Sequence, residues 1–591
     1  MSASLPLFTP GAGRAEVVAV TPALAARAGL TAWAAEFQLG TAGWRDLLDP
    51  DDPHSLDVPF NSLTLALVLE ARAQLALEEG LDELHVGGEV RPHTPAFIDL
   101  AARIYAAHGI AVRLRPPAQF TTPIWLSSFG VFCEELAGGE NFTASHSQNY
   151  KGGWKPMDDS GGQLLELADA IADRVRALAA RAAAEGLEVR LAAADDPLIR
   201  RDFDPVDDYV AALRGIVPPA LPDDVRAAAD AGFRAAFGCE GGSMGATARR
   251  VFAGLGLGVA PSPTGVAGGL DAGDPAGAVF FTHFAERSDY YGIGTLDGVN
   301  HGVDPGKPQV YKHVGAQRLL RDGRAHVFFL WDPDGDRFNM VTTAPADLAA
   351  SAVAAGLEVD ELDAARCLVF FKPNQIYFML TALRLESLQA AGELAACDWI
   401  VATTWPTSRS IGELAEAFNR RHGTALKTFR VPVGFKYFAA LVRDLEDQLA
   451  DEDAGGIAAR ALDATDTETV FGPRPRLLIM AGRAAARRWA PGNGLPAVTT
   501  ARVPSRRRRR TACRSACCRW PWPPGCISRE AASPATTWIA WIATRSRTVS
   551  TSVVTSPWPT SRCAAPRATQ PAPSATRRRK RPWPSSAPSR R

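Results

Sequence analysis

At Gly482 the chain changes character, and only the part before the change has the makings of a packed core. After it come 22 Arg and one Lys against a single acid, Glu530, so this stretch carries +22 while the first 482 residues carry −22. The zero net charge of the 591-residue chain hides both. The later stretch also has seven of the 14 Trp and five of the nine Cys, yet no Phe and no Tyr. With 15 Pro and no consistent apolar period, it cannot bury enough surface to offset the entropy of ordering, and disorder is expected.

The first 482 residues read differently. Leu84-His85-Val86-Gly87-Gly88 has strand character and is followed by a helical pattern from Ala96 to His108. Gly109 stops that helix and Ile110 to Leu114 begins another strand. A long Ala-, Leu- and Arg-rich helix is expected from Leu164 to Glu185, stopped by Gly186. Val327-Phe328-Phe329-Leu330-Trp331 is apolar throughout, as a strand covered on both faces must be. The rhythm continues with a strand at Trp399 to Ala402, a helix at Glu413 to Arg421 and a strand at Leu477 to Met480. Alternation of this kind gives the α/β class, with mostly parallel sheets covered by helices.

Composition excludes several function classes. No apolar run reaches the roughly 18 residues of a membrane span, and Met1-Ser2-Ala3-Ser4-Leu5-Pro6 lacks the pattern of a secretory signal. Cys133, Cys239, Cys367 and Cys397 are widely spaced, which argues against a zinc site and suits a reducing compartment. A cytoplasmic location is the expectation.

Three polar segments break the β/α rhythm. Asp332-Pro333-Asp334-Gly335-Asp336-Arg337 directly follows the apolar strand. Its three carboxylates at alternate positions can wrap one oxygen-loving divalent ion, at the strand end where open α/β sheets place ligands. A solvated acidic turn fits the same residues; a helix–loop–helix calcium loop does not, because its twelfth position would be Thr343 rather than Glu. Thr143-Ala144-Ser145-His146, with Gly152-Gly153-Trp154-Lys155 after it, offers a serine beside a His and a Lys. That suits an activated nucleophile, and equally an ordinary polar turn; no G-x-S-x-G elbow surrounds Ser145. Gly40-Thr41-Ala42-Gly43-Trp44-Arg45 is either a plain Gly-rich turn or a place where backbone and Arg45 meet a phosphate.

In this order and spacing the three segments resemble the α-D-phosphohexomutases, the family of phosphoglucomutase and phosphomannomutase. That family carries G-T-[AS]-G-x-R, T-A-S-H-N-P ending in N-G-x-K, D-P-D-[GA]-D-R and a later G-F-K element, matched here by Gly434-Phe435-Lys436. Gly87-Gly88-Glu89-Val90-Arg91 is similar to its G-x-D-x-R strand end, with Glu in place of Asp. The chain departs from the pattern where Ser147-Gln148 stands for Asn-Pro and Gly152-Gly153 for Asn-Gly.

The resemblance covers roughly residues 35–482 and implies three consecutive α/β domains around a cleft: 35–205 with the serine loop, 206–345 with the acidic loop and 346–482 for sugar binding. Residues 1–34 would be an N-terminal extension and 483–591 a tail replacing a fourth domain. It further implies that Ser145 carries a phosphoryl group and exchanges it with a hexose monophosphate through a 1,6-bisphosphate. Asp332, Asp334, Asp336 and a Ser145 oxygen would hold Mg²⁺. Lys155 would accept the sugar hydroxyl's proton, His146 would orient the loop and Arg45 would contact the phosphoserine. Arg337, Gly434, Phe435 and Lys436 would meet the substrate. A remnant that binds metal and sugar phosphate without turnover is the alternative.

The family's fourth-domain motifs are missing, and the tail has the look of another reading frame. Written with GC-rich codons, residues 483–489 contain Ser-Gly-Gly-Ala-Ala-Leu in the neighbouring frame, behind a codon that suits Glu. The rival reading is a nucleic-acid-binding arm built on residues 506–510 and 577–581, which the acidic first part and the abundance of Trp and Cys disfavour.

Overall fold

The computed structural model describes residues 6–40, 43–119, 121–164, 167–216, 221–260, 280–282, 286–292, 295–296, 299–300, 302–395, 398–432, 437–438, 441 and 475–479. Gly434, Phe435, Lys436 and the tail from 483 onward lie outside the described residues.

The first unit is built on a six-stranded sheet in the order Trp44–Leu47, Lys151–Met157, Gly139–Phe142, Glu83–Gly88, Ala111–Arg113, Ile199–Arg200. The last four run parallel, whereas Lys151–Met157 is antiparallel to both of its neighbours. The helix Ser62–Glu78 is apolar on nearly every side because it lies between other helices and the sheet, and Leu63 through Ala73 are all buried. Asn61 starts it with a capping box to Thr64, a device worth about 1 kcal/mol. Helices Thr94–Ala107 and Ala168–Ala184 complete the core around Leu67, Leu100, Ile104 and Val175.

Residues set apart as an N-terminal extension are packed into this unit. Glu16–Val20 pairs antiparallel with Leu187–Leu191, burying Val18 and Val20. Fully buried Arg103 ties the segment down through the carbonyls of Thr9 and Arg14 and the Glu16 carboxylate.

The second unit centres on a seven-stranded sheet in which Val327–Trp331 lies between Ala235–Gly238, parallel, and Phe338–Pro345, antiparallel. Its apolar run is explained by cover on both faces. Phe328 and Leu330 join the core of Tyr311, Leu319 and Leu320, while Val327, Phe329 and Trp331 pack with Phe237 and Val251.

The third unit has Asp398–Thr404 between Lys427–Val431 and Pro475–Ile479, all parallel, with helices Pro373–Ala390 and Ser410–His422. The α/β class is therefore as expected. The sheets are more mixed than expected, because after Val327–Trp331 the chain returns through a six-residue turn, too short for the crossover a parallel neighbour requires.

Candidate active site

The site forms where the first two units touch. One side is the loop after Gly139–Phe142, the other the turn after Val327–Trp331, both at strand carboxyl ends. The Ile124 amide, opening the helix Ile124–Cys133, donates to the Asp334 carbonyl at 3.0 Å and joins the two backbones.

Ser145 is buried and sits at φ 57°, the left-handed region that non-glycine residues rarely occupy. Its amide donates to Thr143 Oγ1 (2.8 Å) and its hydroxyl to Asp332 Oδ2 (3.0 Å). The loop is threaded against the neighbouring strand: the Thr143 amide donates to the Gly153 carbonyl at 3.0 Å. A Cβ on Gly153 would come within 2.2 Å of the Thr143 carbonyl oxygen. Gly152, where the family pattern has Asn, has its side-chain space filled by the Phe60 ring, 2.3 Å from a built Cβ. Both glycines are thus required by close packing behind the serine.

The acidic turn is equally constrained. Gly335 takes φ 74°, and a Cβ there would lie 2.4 Å from Met244 Sδ. Arg337 donates its amide to Asp332 Oδ1 at 3.0 Å and so closes the turn. Oxygens of Asp332, Asp334 and Asp336 come within 4.8 Å of one another. Burial, reinforced by Asp334 and Asp336, pushes the Asp332 carboxyl well above the usual range. Three converging carboxylate oxygens that repel one another form a nest for a hard cation, and the donor set suits Mg²⁺ or a similar ion.

Positive groups surround this nest. Lys155, on the strand Lys151–Met157, holds Asp334 Oδ2 at 3.1 Å. Arg337 Nη1 lies 2.6 Å from His146 Nδ1 and 3.3 Å from Nε2, and the shorter contact favours the neutral tautomer with its proton on Nε2. Burial, and then Arg337, lowers the His146 pKa to about 4, so the ring is uncharged at neutral pH. Arg45 lies on Trp44–Leu47 opposite Gly153, and its Nε is buried with no hydrogen-bond partner. Thr41 and Ala42 lie outside the described residues. Gly43, at φ 82°, lets the backbone pass Trp154 O, which a Cβ would approach to 2.3 Å.

The structure therefore brings Ser145, His146, Lys155, Asp332, Asp334, Asp336 and Arg337 into one site, with Arg45 on the strand beside the serine loop. It also adds Glu89 and Arg91, to which the sequence assigned no role. Glu89 Oε1 accepts from the Ala144 amide (2.9 Å) and Thr143 Oγ1 (2.6 Å). Arg91 reaches the Ser145 carbonyl at 2.8 Å. The available signal was the pair of charges two apart at the end of a buried strand, where unpaired charge is too costly to be incidental.

Residues 37–182 match the family model described as phosphoglucomutase/phosphomannomutase, alpha/beta/alpha domain I. No curated protein matches the chain. Among solved structures the chain is similar to the phosphoglucomutase pp63/parafusin of Paramecium in its open form, at 17% identity and TM-score 0.48 over 74% of this chain and 67% of that one. A phosphoglucomutase/phosphomannomutase family protein of Burkholderia thailandensis matches at 14% identity and TM-score 0.42, covering 74% and 69%. The N-acetylphosphoglucosamine mutase of Aspergillus fumigatus, solved with GlcNAc-6P and magnesium, matches at 12% and TM-score 0.32, covering 70% and 67%.

Proposed function

We propose that the chain, whose residues 37–182 match the family model described as phosphoglucomutase/phosphomannomutase domain I, is a phosphohexomutase. It interconverts hexose 1-phosphate and 6-phosphate, of glucose or mannose, through a phosphoserine at Ser145. The observation that carries this reading is the Ser145 hydroxyl, 3.0 Å from Asp332, at the edge of a three-carboxylate nest.

In the first half-reaction the Ser145 Oγ–P bond breaks as a bond forms from phosphorus to a sugar hydroxyl oxygen, and that hydroxyl's proton passes to Lys155, which accepts it as the free amine after giving up its ammonium proton when a divalent ion takes over the neutralisation of Asp334. The bisphosphate turns over, and the reverse transfer returns its other phosphoryl to Ser145, with the proton going back to the sugar oxygen. A divalent ion held by Asp332, Asp334 and Asp336 supplies positive charge to the phosphoryl oxygens. Arg337 and Arg45 add fixed positive charge on either side of the serine loop. Neutral His146, gripped by Arg337, keeps Ser145 and the acidic turn in register. Gly434, Phe435 and Lys436 are assigned to recognition of the sugar phosphate, and the enzyme serves carbohydrate metabolism in the cytoplasm. Among the described residues no helix is long and apolar enough to cross a membrane.

The test is incubation with glucose 1,6-bisphosphate and Mg²⁺, mass analysis of Ser145, and a coupled assay for glucose 6-phosphate from glucose 1-phosphate. Phosphate on Ser145, turnover, and loss of both in Ser145→Ala are expected. Turnover that survives Ser145→Ala overturns the mechanism.

A further inference from the structure

We propose that Glu89 and Arg91 are positioning residues that hold Ser145 in its left-handed backbone conformation and so set the rate at which it exchanges phosphate. This rests on the reading of Ser145 as the phosphoryl carrier and extends it to two residues outside the reacting groups.

A serine at φ 57° costs roughly 1–2 kcal/mol and persists only when its surroundings over-determine it. Arg91 supplies most of that restraint. Its Nη2 donates to the Ser145 carbonyl at 2.8 Å, and its Nη1 to the carbonyls of Gln148 (2.6 Å) and Lys151 (2.8 Å). One planar guanidinium thus gathers both ends of the loop, which the single ammonium of a lysine cannot do. Glu89 works on the other side of the serine. Its Oε1 accepts from the Ala144 amide at 2.9 Å and lies 2.6 Å from the Thr143 hydroxyl, whose oxygen accepts the Ser145 amide. The same oxygen takes Arg91 Nε at 2.9 Å and makes the two side chains one unit.

Glu89 is fully buried and Arg91 nearly so, and the Tyr290 ring of the second unit covers the guanidinium at 5.6 Å. Neither can touch a sugar phosphate. A buried ion pair is a poor source of stability compared with apolar packing, and here it spends every bond but one on the segment from Thr143 to Lys151. Its effect is therefore on geometry at Ser145, where a displacement of about 1 Å can cost about 100-fold in rate.

The experiment is rapid-quench transfer of phosphate from glucose 1,6-bisphosphate to Ser145 in the full-length protein, as wild type, Arg91→Met and Arg91→Lys. Mn²⁺ affinity and thermal unfolding are measured on the same samples. Expected is a fall of about 100-fold in the single-turnover rate constant for Arg91→Met and at least 10-fold for Arg91→Lys, with Mn²⁺ affinity within threefold of wild type. A purely structural role would lower the labelled fraction while leaving the rate constant of the folded molecules unchanged, and that result overturns the proposal. Wild-type rates in Arg91→Lys overturn it too, even where Arg91→Met fails to fold. Absence of label on wild-type Ser145 instead sinks the phosphoserine reading on which the proposal stands.

Discussion

Ser145 Oγ donates to Asp332 Oδ2 across 3.0 Å of space and 187 positions of sequence. Each residue is the product of its own strand end: Ser145 follows Gly139–Phe142 of the first sheet, and Asp332 follows Val327–Trp331 of the second. Neither sheet alone makes a site. The contact exists because the helix Ile124–Cys133 docks its first amide on the acidic turn, and because glycines at 153 and 335 let the two loops close up.

The carboxylate nest should respond to divalent ions in the absence of any sugar. At a concentration 100 times its dissociation constant, an ion bound only by the folded state adds about 2.7 kcal/mol of stability. We expect Mg²⁺ or Mn²⁺ to raise the melting temperature, and Asp334→Asn to reduce the affinity at least tenfold by titration calorimetry. A melting temperature indifferent to either ion would mean that the three carboxylates serve only the turn.

The backing of the serine loop gives a prediction that depends on two residues together. Gly152→Asn, which introduces the residue of the pattern this loop resembles, should destabilise the protein by about 1–3 kcal/mol because the Phe60 ring already fills the space. Shortening the ring in Phe60→Leu/Gly152→Asn should recover part of that loss, giving a coupling energy of about 0.5–3 kcal/mol in a double-mutant cycle of urea unfolding. Additive losses would show that the strain lies elsewhere.

Much of this architecture was legible in the residues. Val327 to Trp331 could be read as a doubly covered strand because all five residues are apolar, and the acidic turn followed from Pro333 and Gly335 between the carboxylates. Other features depend on contacts that sequence does not display. Glu16–Val20 has strand composition, but its partner Leu187–Leu191 lies about 170 residues away, so the segment read as an extension. The grip of Glu89 and Arg91 on the serine loop is invisible for the same reason: charge spacing suggests a pair, and only the fold shows what the pair holds. Sheet direction was misjudged because a six-residue acidic turn favours a hairpin, whereas the β/α rhythm elsewhere favours crossovers.

The Arg337–His146 contact predicts a protonation state. With Arg337 Nη1 at 2.6 Å from Nδ1 against 3.3 Å from Nε2, the ring proton is expected on Nε2, and ¹⁵N NMR of labelled protein near neutral pH should show that neutral tautomer. Arg337→Leu should relieve the restraint, broadening the imidazole signals and lowering turnover at least tenfold. A signal from the Nδ1–H tautomer in the unmodified protein would contradict the geometry.

Glu140 should contribute a separable part of the pH dependence of stability, beside other buried acids such as Glu240 whose pKa burial also raises. It is fully buried on Gly139–Phe142, where Tyr105 Oη and Trp154 Nε1 both donate to Oε2, at 2.8 and 2.7 Å, and Oε1 has no partner. Burial outweighs these bonds and the Arg72 charge, raising its pKa from 4.5 to about 7. Between those values the folded state holds a proton that the unfolded state has released, so stability falls as pH rises. The contribution is complete below about pH 4.5, declines by up to about 1.4 kcal/mol per pH unit, and is gone above pH 7. Glu140→Gln mimics the protonated acid at every pH: its carbonyl can accept from Tyr105 and Trp154, and it has no charge to bury. Denaturant unfolding should therefore find the variant close to wild type at pH 5 and more stable by roughly 2–3 kcal/mol at pH 8. A difference that stays constant from pH 5 to pH 8 would show that Glu140 does not titrate in this window.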